Sequence, residues 1–308
     1  TGFVGREVVK ALCEHGVEVR CLVHTPGKER VLSGLSVDVH YGSVLDPVAL
    51  QAAFYNLDAV VHLVAVIRER GTTTFQSMNQ WGTQNVVAAA REAQVGHFLQ
   101  MSAIGATANL RYPYLHSKWL GEQSVIDSGM AHTILRPSIQ FGGGDEFVNA
   151  LAGLVRAFPV VPVAGSGRNR FQPIAVEDVA RCIAVAVAEN GPANGVIEIG
   201  GPQQLSYDEI LGAIARTYGV RRLKLHIPLP IMGLAVKMME RLLSRPPITT
   251  QQLGMVSLDN VGDLGTVEKS FGFSPKALEG NIGYIRGITY LEALRIALGF
   301  MPTRIRDH

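Results

Sequence analysis

The sequence predicts an α/β fold: a doubly wound parallel sheet with a smaller C-terminal α/β lobe. Three observations carry this expectation. Strand-like and helix-like segments alternate without internal repeats through roughly the first two thirds of the 308 residues, the rhythm of linked β–α–β units. One strand-like segment, DAVVHLVAV at 58–66, is almost continuously apolar, as a strand covered by helices on both faces should be. After Gly195 the alternation gives way to a mixture of helices and short strands.

The elements follow in order. Val8, Val9 and Leu12 share a face, so 6–15 reads as a helix, with Gly16 placed to end it. VEVRCLVH (17–24) is a strand stopped by TPG, VDVH (37–40) is a short strand, and Pro47 opens a helix to Tyr55. An alanine- and valine-rich helix spans 79–93, HFLQMS (97–102) is a strand, and a helix starts near Tyr114. AHTILRP (131–137) is a strand and 178–188 a helix. Beyond these, GVIEIGG reads as a strand and LSYDEILGAIARTYG as a helix, with Ser206 as N-cap and Glu209 completing a capping box. HIPLPIMGLAVKMMERLLSRPP (226–247) is an apolar helix opened and closed by prolines. The expected division is 1–200 for the sheet domain, into which parts of the second lobe can be inserted, and 201–308 for the smaller lobe.

Composition narrows the function. Hydrophobic residues make up 47% and charged residues 18%, which excludes a disordered chain. Mean hydropathy is +0.18, yet no run of apolar residues is long enough to span a bilayer. Twenty-eight Lys and Arg against 26 Asp and Glu leave a formal charge of +2, too balanced for a nucleic-acid partner. Cys13, Cys21 and Cys182 show no metal-ligand spacing and read as three buried thiols in a reducing compartment. With no signal peptide in view, the expected location is the cytoplasm, including the cytoplasmic face of a membrane.

The chain opens on TGFVG, which runs straight into REVVKALCEHG. In a dinucleotide-binding sheet, glycines sit between the first strand and first helix, where they permit a tight turn and a close approach to a pyrophosphate. Gly2, Phe3, Val4 and Gly5 match the last part of that turn; an ordinary strand–helix turn is the alternative. The first strand of such a sheet lies in its middle. A chain lacking it would leave two neighbouring strands without their partner, so a strand and a further glycine are expected ahead of Thr1.

At the end of the second strand, where NAD-specific proteins place an acidic residue for the ribose hydroxyls, this chain reads LVHTPGKER. His24, Lys28 and Arg30 make a positive neighbourhood suited to a 2′-phosphate, which favours NADP(H) over NAD(H). The other reading of Lys28 and Arg30 is a solvated first turn of helix.

YLHSK (114–118) places Tyr114 and Lys118 four residues apart, on one helix face. A tyrosine can exchange a proton with a substrate oxygen if its pKa is brought down, which a neighbouring ammonium and a cationic nicotinamide would do. Ser102, at the C-terminal end of a strand, is placed where open α/β sheets bind ligands. His116 lies two positions along from Tyr114 and points elsewhere, and Trp119 reads as core. Arg136-Pro137 either closes the nicotinamide pocket through backbone groups or simply ends its strand.

The order TGFVGREVV, GSVLD, DAVVHLVA, NQWGTQNVV, QMSAIGA, YLHSKWLGE, TILRPSIQFG and FQPIAVEDVA resembles the atypical short-chain dehydrogenase/reductase superfamily over about residues 1–200. PPITTQQLGMVSLDNV and FGFSPKALEGNIGYI narrow the resemblance to bacterial relatives of an accessory subunit of respiratory complex I. The resemblance implies a Rossmann fold with Gly2 and Gly5 as the retained part of the glycine turn. It implies Ser102, Tyr114 and Lys118 as the catalytic serine, tyrosine and lysine. Ser43, next to Val44, stands where relatives usually carry an aspartate touching the adenine, with Asp46 nearby. Ala65 falls in the stretch covering the cofactor, Asn79 matches the family's helix asparagine, and Pro137 and Ser138 lie beside the nicotinamide. His24 sits where NADPH-preferring relatives often carry arginine.

Two functions follow from the resemblance. One is hydride transfer between NADP(H) and a small hydrophobic or quinone-like substrate, with Tyr114 exchanging the proton. The other is a non-catalytic nucleotide-binding accessory or assembly subunit of a membrane electron-transfer complex. In IMGLAVKMMERLL, Ile231, Leu234, Ala235, Met238 and Leu242 line one face. That face caps a substrate cleft, docks on a complex or a membrane surface, or packs on its own lobe. The closing TRIRDH reads as a solvated basic tail.

Overall fold

The computed structural model describes residues 1–188, 192, 194–243 and 246–306. It divides into two compact units, the first comprising Thr1–Pro137, Val176–Ile199 and Gly265–Phe273, the second Ser138–Ala175, Gly200–Leu264 and Ser274–His308.

The first unit begins with α1 (Phe3–Glu14), whose Val8, Val9 and Leu12 are buried as their spacing requires. The chain leaves it through Gly16 at φ +73°, a left-handed conformation in which a side chain would be strained. β1 (Val19–Val23) pairs in parallel with β2 (Val37–Tyr41). In α2 (Pro47–Phe54) the Asp46 carboxylate accepts from the Val48 and Ala49 N–H groups at 3.1 and 3.2 Å, with Pro47 in the first helical position.

β3 (Ala59–His62) is shorter than the apolar run that announced it. Residues 63–66 leave the sheet because the Asn79 carboxamide takes both backbone groups of Val66. The helix expected at 79–93 is α3 (Gly82–Glu92), entered earlier through a π-helical turn over Phe75–Trp81. Thr74 and Ser77 cap that turn reciprocally. β4 (His97–Met101), α4 (Pro113–Asp127) and β5 (His132–Pro137) then follow as expected.

Chain segment 138–175 builds part of the second unit: β6 (Gln140–Phe141), α5 (Phe147–Ala157), β7 (Val160–Ala164), β8 (Arg170–Phe171) and β9 (Ile174–Ala175). The chain returns to the first unit with α6 (Val176–Ala188), which packs on α1, and β10 (Gly195–Ile199). The main sheet of the first unit has the order β10-β5-β4-β3, all neighbours parallel, with β1 and β2 as a separate parallel pair. This is the parallel Rossmann-type sheet that the alternation predicted. Leu50, Phe54, Val87, Phe98, Val125 and Ile134 fill its core.

The rest of the second unit contains β11 (Leu205–Ser206), α7 (Tyr207–Thr217), β12 (Leu223–Ile227), α8 (Leu229–Leu242) and α9 (Thr250–Val256). α10 (Thr266–Phe271) belongs to the first unit; α11 (Tyr290–Ala297) and α12 (Thr303–Arg306) complete the second. The Ser206–Glu209 capping box opens α7 as expected. α5 and α11 pack so closely that a Cβ on Gly153 would lie 2.6 Å from Ile296 Cγ2. Residues 244–245, near the end of the proline-bounded stretch, lie outside the described residues.

Three expectations are corrected. Cys182 is buried, but Cys13 and Cys21 are only half-buried. The closing segment is no solvated tail through residue 306: Ile305 is buried in the second unit's core, and Arg304 forks onto the Glu292 carboxylate at 2.8 to 3.1 Å. The apolar stripe of α8 is not packed on its own lobe. It faces solvent, and Val236 is the residue of that helix that turns inward.

Candidate nucleotide and catalytic site

α4 opens with Pro113 in its first turn and carries Tyr114 and Lys118 on one face. The buried Lys118 Nζ donates to the carbonyl of Met101 at 2.6 Å, one residue before Ser102. Ser102 is itself buried, its N–H donates to Leu135 O at 2.7 Å, and its hydroxyl has no partner among the described residues. A buried hydroxyl is costly to leave unbonded, and this one lies at the end of a strand.

Burial pushes the Tyr114 hydroxyl up to about 12. The expectation that Lys118 brings it down is not met in the chain alone, because the ammonium is directed at Met101. Phe75 lies against the phenol ring edge to face, with centroids 5.8 Å apart. Lys118 falls to about 8, chiefly through burial, with the negative charge of Glu122 opposing the fall.

Glu122 is a residue the sequence reading passed over. It stands four positions beyond Lys118, fully buried, and Arg136 forks onto it at 2.7 and 2.8 Å. The repeat Tyr114, Lys118, Glu122 at constant four-residue spacing was the available signal. Arg136 therefore does more than end β5: its guanidinium also reaches Glu198 on β10 at 3.4 Å.

Behind Lys118 lies a second polar layer. The Thr83 hydroxyl donates to Asn79 O at 2.7 Å, so it can only accept from His62 Nε2 at 3.0 Å, which assigns the proton to that nitrogen. Burial and the Lys118 charge push His62 down to about 3, which keeps it neutral. Asn79 accepts from Val66 N–H at 2.7 Å and donates to Val66 O and Ser117 Oγ at 3.0 Å, fixing the stretch that contains Ala65. The π-helical turn that carries Asn79 lies close under α4, where a Cβ on Gly121 would be 3.2 Å from Asn79 O.

Gly2 precedes α1 with no side-chain cap on the helix, and a Cβ on Gly2 or on Gly5 would meet none of the described residues within 4 Å. Phe3 and Val4 form the first turn between them. At the end of β1, His24 and Lys28 are exposed, and His24 Nδ1 lies 3.2 Å from Thr25 Oγ1. Glu29, which the sequence reading did not weigh, accepts from Gly27 N–H at 2.7 Å.

Other sequence candidates serve local structure. The Ser43 hydroxyl accepts from Leu45 N–H, Asp46 caps α2, and the Val44 side chain is core while its carbonyl accepts from Asn85. Pro137 ends β5 with its carbonyl accepting from Ile104 N–H. In the second unit, the buried Ser138 hydroxyl donates to Asn260 and accepts from Gln172 N–H. His116 stacks on Trp119 with centroids 5.8 Å apart, and its Nδ1 is buried without a partner among the described residues; Trp119 is only half-buried.

A parallel sheet with a glycine-opened first helix and a tyrosine–lysine pair at its strand ends defines a dinucleotide-binding α/β protein. The family model described as NAD(P)H-binding matches residues 1–190, and the chain belongs to that family. It is 28% identical over 312 residues to ceramide reductase of Caulobacter vibrioides, covering 99% of this chain and 95% of that protein. It is 25% identical over 275 residues to the mitochondrial NADH dehydrogenase [ubiquinone] 1 alpha subcomplex subunit 9 of Arabidopsis thaliana, covering 86% and 68%. Among solved structures, the NADPH complex of the Escherichia coli quinone oxidoreductase QOR2 shares the fold, with a TM-score of 0.75 at 18% identity over 92% of this chain and 96% of that one.

Proposed function

We propose that this chain is an NAD(P)H-dependent reductase acting on the carbonyl group of an apolar, lipid-like or quinone-like substrate. The observation that carries the reading is the buried Ser102 hydroxyl, without a partner among the described residues, next in sequence to the carbonyl that holds Lys118. Bound nucleotide supplies the hydride. Gly2, Phe3, Val4 and Gly5 hold its phosphates on backbone N–H groups, Asn79 fixes the covering segment at Ala65, and Lys118 holds a ribose hydroxyl. Pro137 borders the nicotinamide. Ser102 and Tyr114 donate to the substrate oxygen as charge develops on it, and Tyr114 delivers the proton. The phenol, high in pKa while buried, is in its proton-carrying form throughout the neutral range.

The apolar substrate class is supported by the end-to-end likeness to a ceramide reductase. NADP(H) is preferred in this reading, with His24 and Lys28 facing the 2′-phosphate and Glu29 occupied by Gly27. The test is transfer of deuterium from labelled NADPH to the carbinol carbon of long-chain ketones, with oxidation of NADPH followed by absorbance for quinones, whose hydroxyl deuterium exchanges with water. Label in the product supports the reading, and a tightly held nucleotide that no acceptor oxidises overturns it.

The second reading, a non-catalytic accessory or assembly subunit of a membrane electron-transfer complex, is favoured by the likeness to the NADH dehydrogenase subunit over 86% of this chain. It is the reading that an unreactive, persistent nucleotide would support.

A further inference from the structure

Helix α8 combines two properties that rarely coexist on a water-facing surface. Ile231, Leu234, Met238 and Leu242 repeat at helical spacing on one side and are 61%, 64%, 56% and 78% exposed. The helix is held to its own unit by its other side, through Val236. An apolar stripe of this kind left in water is a contact surface.

The charges around it name the occupant. Lys237 and Arg241, one turn apart, flank the stripe and have no ion-pair partner among the described residues. The helix's one acid, Glu240, is engaged with Thr250 N–H and Oγ1 at 2.9 and 3.3 Å. The preceding strand β12 also exposes Leu223 and Leu225, with the exposed Arg221 ahead of it, while Arg222 is half-buried and donates to Val155 O at 2.7 Å. An exposed apolar stripe bordered by unpaired cations is the geometry of a helix lying in the plane of an anionic bilayer surface.

We propose that α8 docks this chain on an anionic membrane surface, with Ile231, Leu234, Met238 and Leu242 entering the headgroup boundary and Lys237 and Arg241 meeting lipid phosphates. No helix among the described residues is long and apolar enough to cross a membrane; the attachment proposed for α8 is that of a helix lying in the surface. The docking goes beyond the reductase reading and stands apart from it, since binding to lipid needs neither nucleotide nor turnover.

The experiment is flotation of the full chain with phosphatidylcholine vesicles, with and without about one third phosphatidylglycerol. Binding is expected to the anionic vesicles and to weaken with added salt. Removing both cations in K237Q/R241Q should lower partition by about 25-fold, at about fivefold per basic residue. L234Q/M238Q should abolish it with an unchanged circular dichroism spectrum, because both positions are exposed. Absence of binding, binding unchanged in both variants, or a stripe found covered by a second copy of the chain, with L234Q/M238Q converting a dimer to a monomer, would each overturn the proposal. NADPH titration of the same samples reads the nucleotide function separately.

Discussion

Lys118 and Glu122 stand one helical turn apart on α4, both buried, and the carboxylate holds the ammonium charged against the cost of its burial. Arg136 in turn holds Glu122 with a two-pronged contact. The candidate general acid–base pair is thus backed by a charge relay reaching from α4 to β5.

Replacing Glu122 by Gln should shift the lysine further down and leave Arg136 without its buried partner. The expected loss of stability is about 3 kcal/mol. A pH–rate profile should show its alkaline limb moved to lower pH, a change that a merely structural defect would not produce.

Lys118 itself predicts a pH dependence. Its folded pKa of about 8 lies below the ordinary 10.5, so between those values the unfolded chain holds a proton that the folded chain has lost. Stability relative to Lys118→Met should therefore rise with pH across that window and be flat below pH 8. Reductase activity should fall over the same range as the ammonium is lost, and titration by chemical denaturation alongside initial rates checks both.

Asn79→Ala should strand the Val66 N–H and carbonyl and release the segment around Ala65. The expected cost is about 2–4 kcal/mol, with weakened nucleotide affinity measured by calorimetry on the folded fraction.

Gly153→Ala tests the second unit alone. The added methyl meets Ile296 and the Ala293 carbonyl, so α5 and α11 must move apart at a cost of about 1–3 kcal/mol. Nucleotide binding should be unaffected.

The sequence made the parallel sheet readable because its strands announce themselves by local apolar runs, and Tyr114 and Lys118 were readable because helical spacing alone puts them together. Glu122 lay within the same pattern, but its partner Arg136 comes from a strand fourteen residues later, a contact no local rule supplies. The Asn79–Val66 clamp was hidden for another reason: it depends on a π-helical turn, where the residue spacing departs from that of an α-helix. Ile305 was misread as tail because three of the residues around it, Arg304, Arg306 and Asp307, are charged, while its burial is set by packing with the second unit's core.

In the proposed reaction Tyr114 exchanges a proton with a substrate whose hydride comes from bound nucleotide. The most direct measurement compares Tyr114→Phe with the parent chain for both NADPH affinity and deuterium transfer. Affinity should be unchanged while transfer falls by about 100- to 10,000-fold. Equal transfer by the two proteins, or no NADPH binding by either, would contradict it.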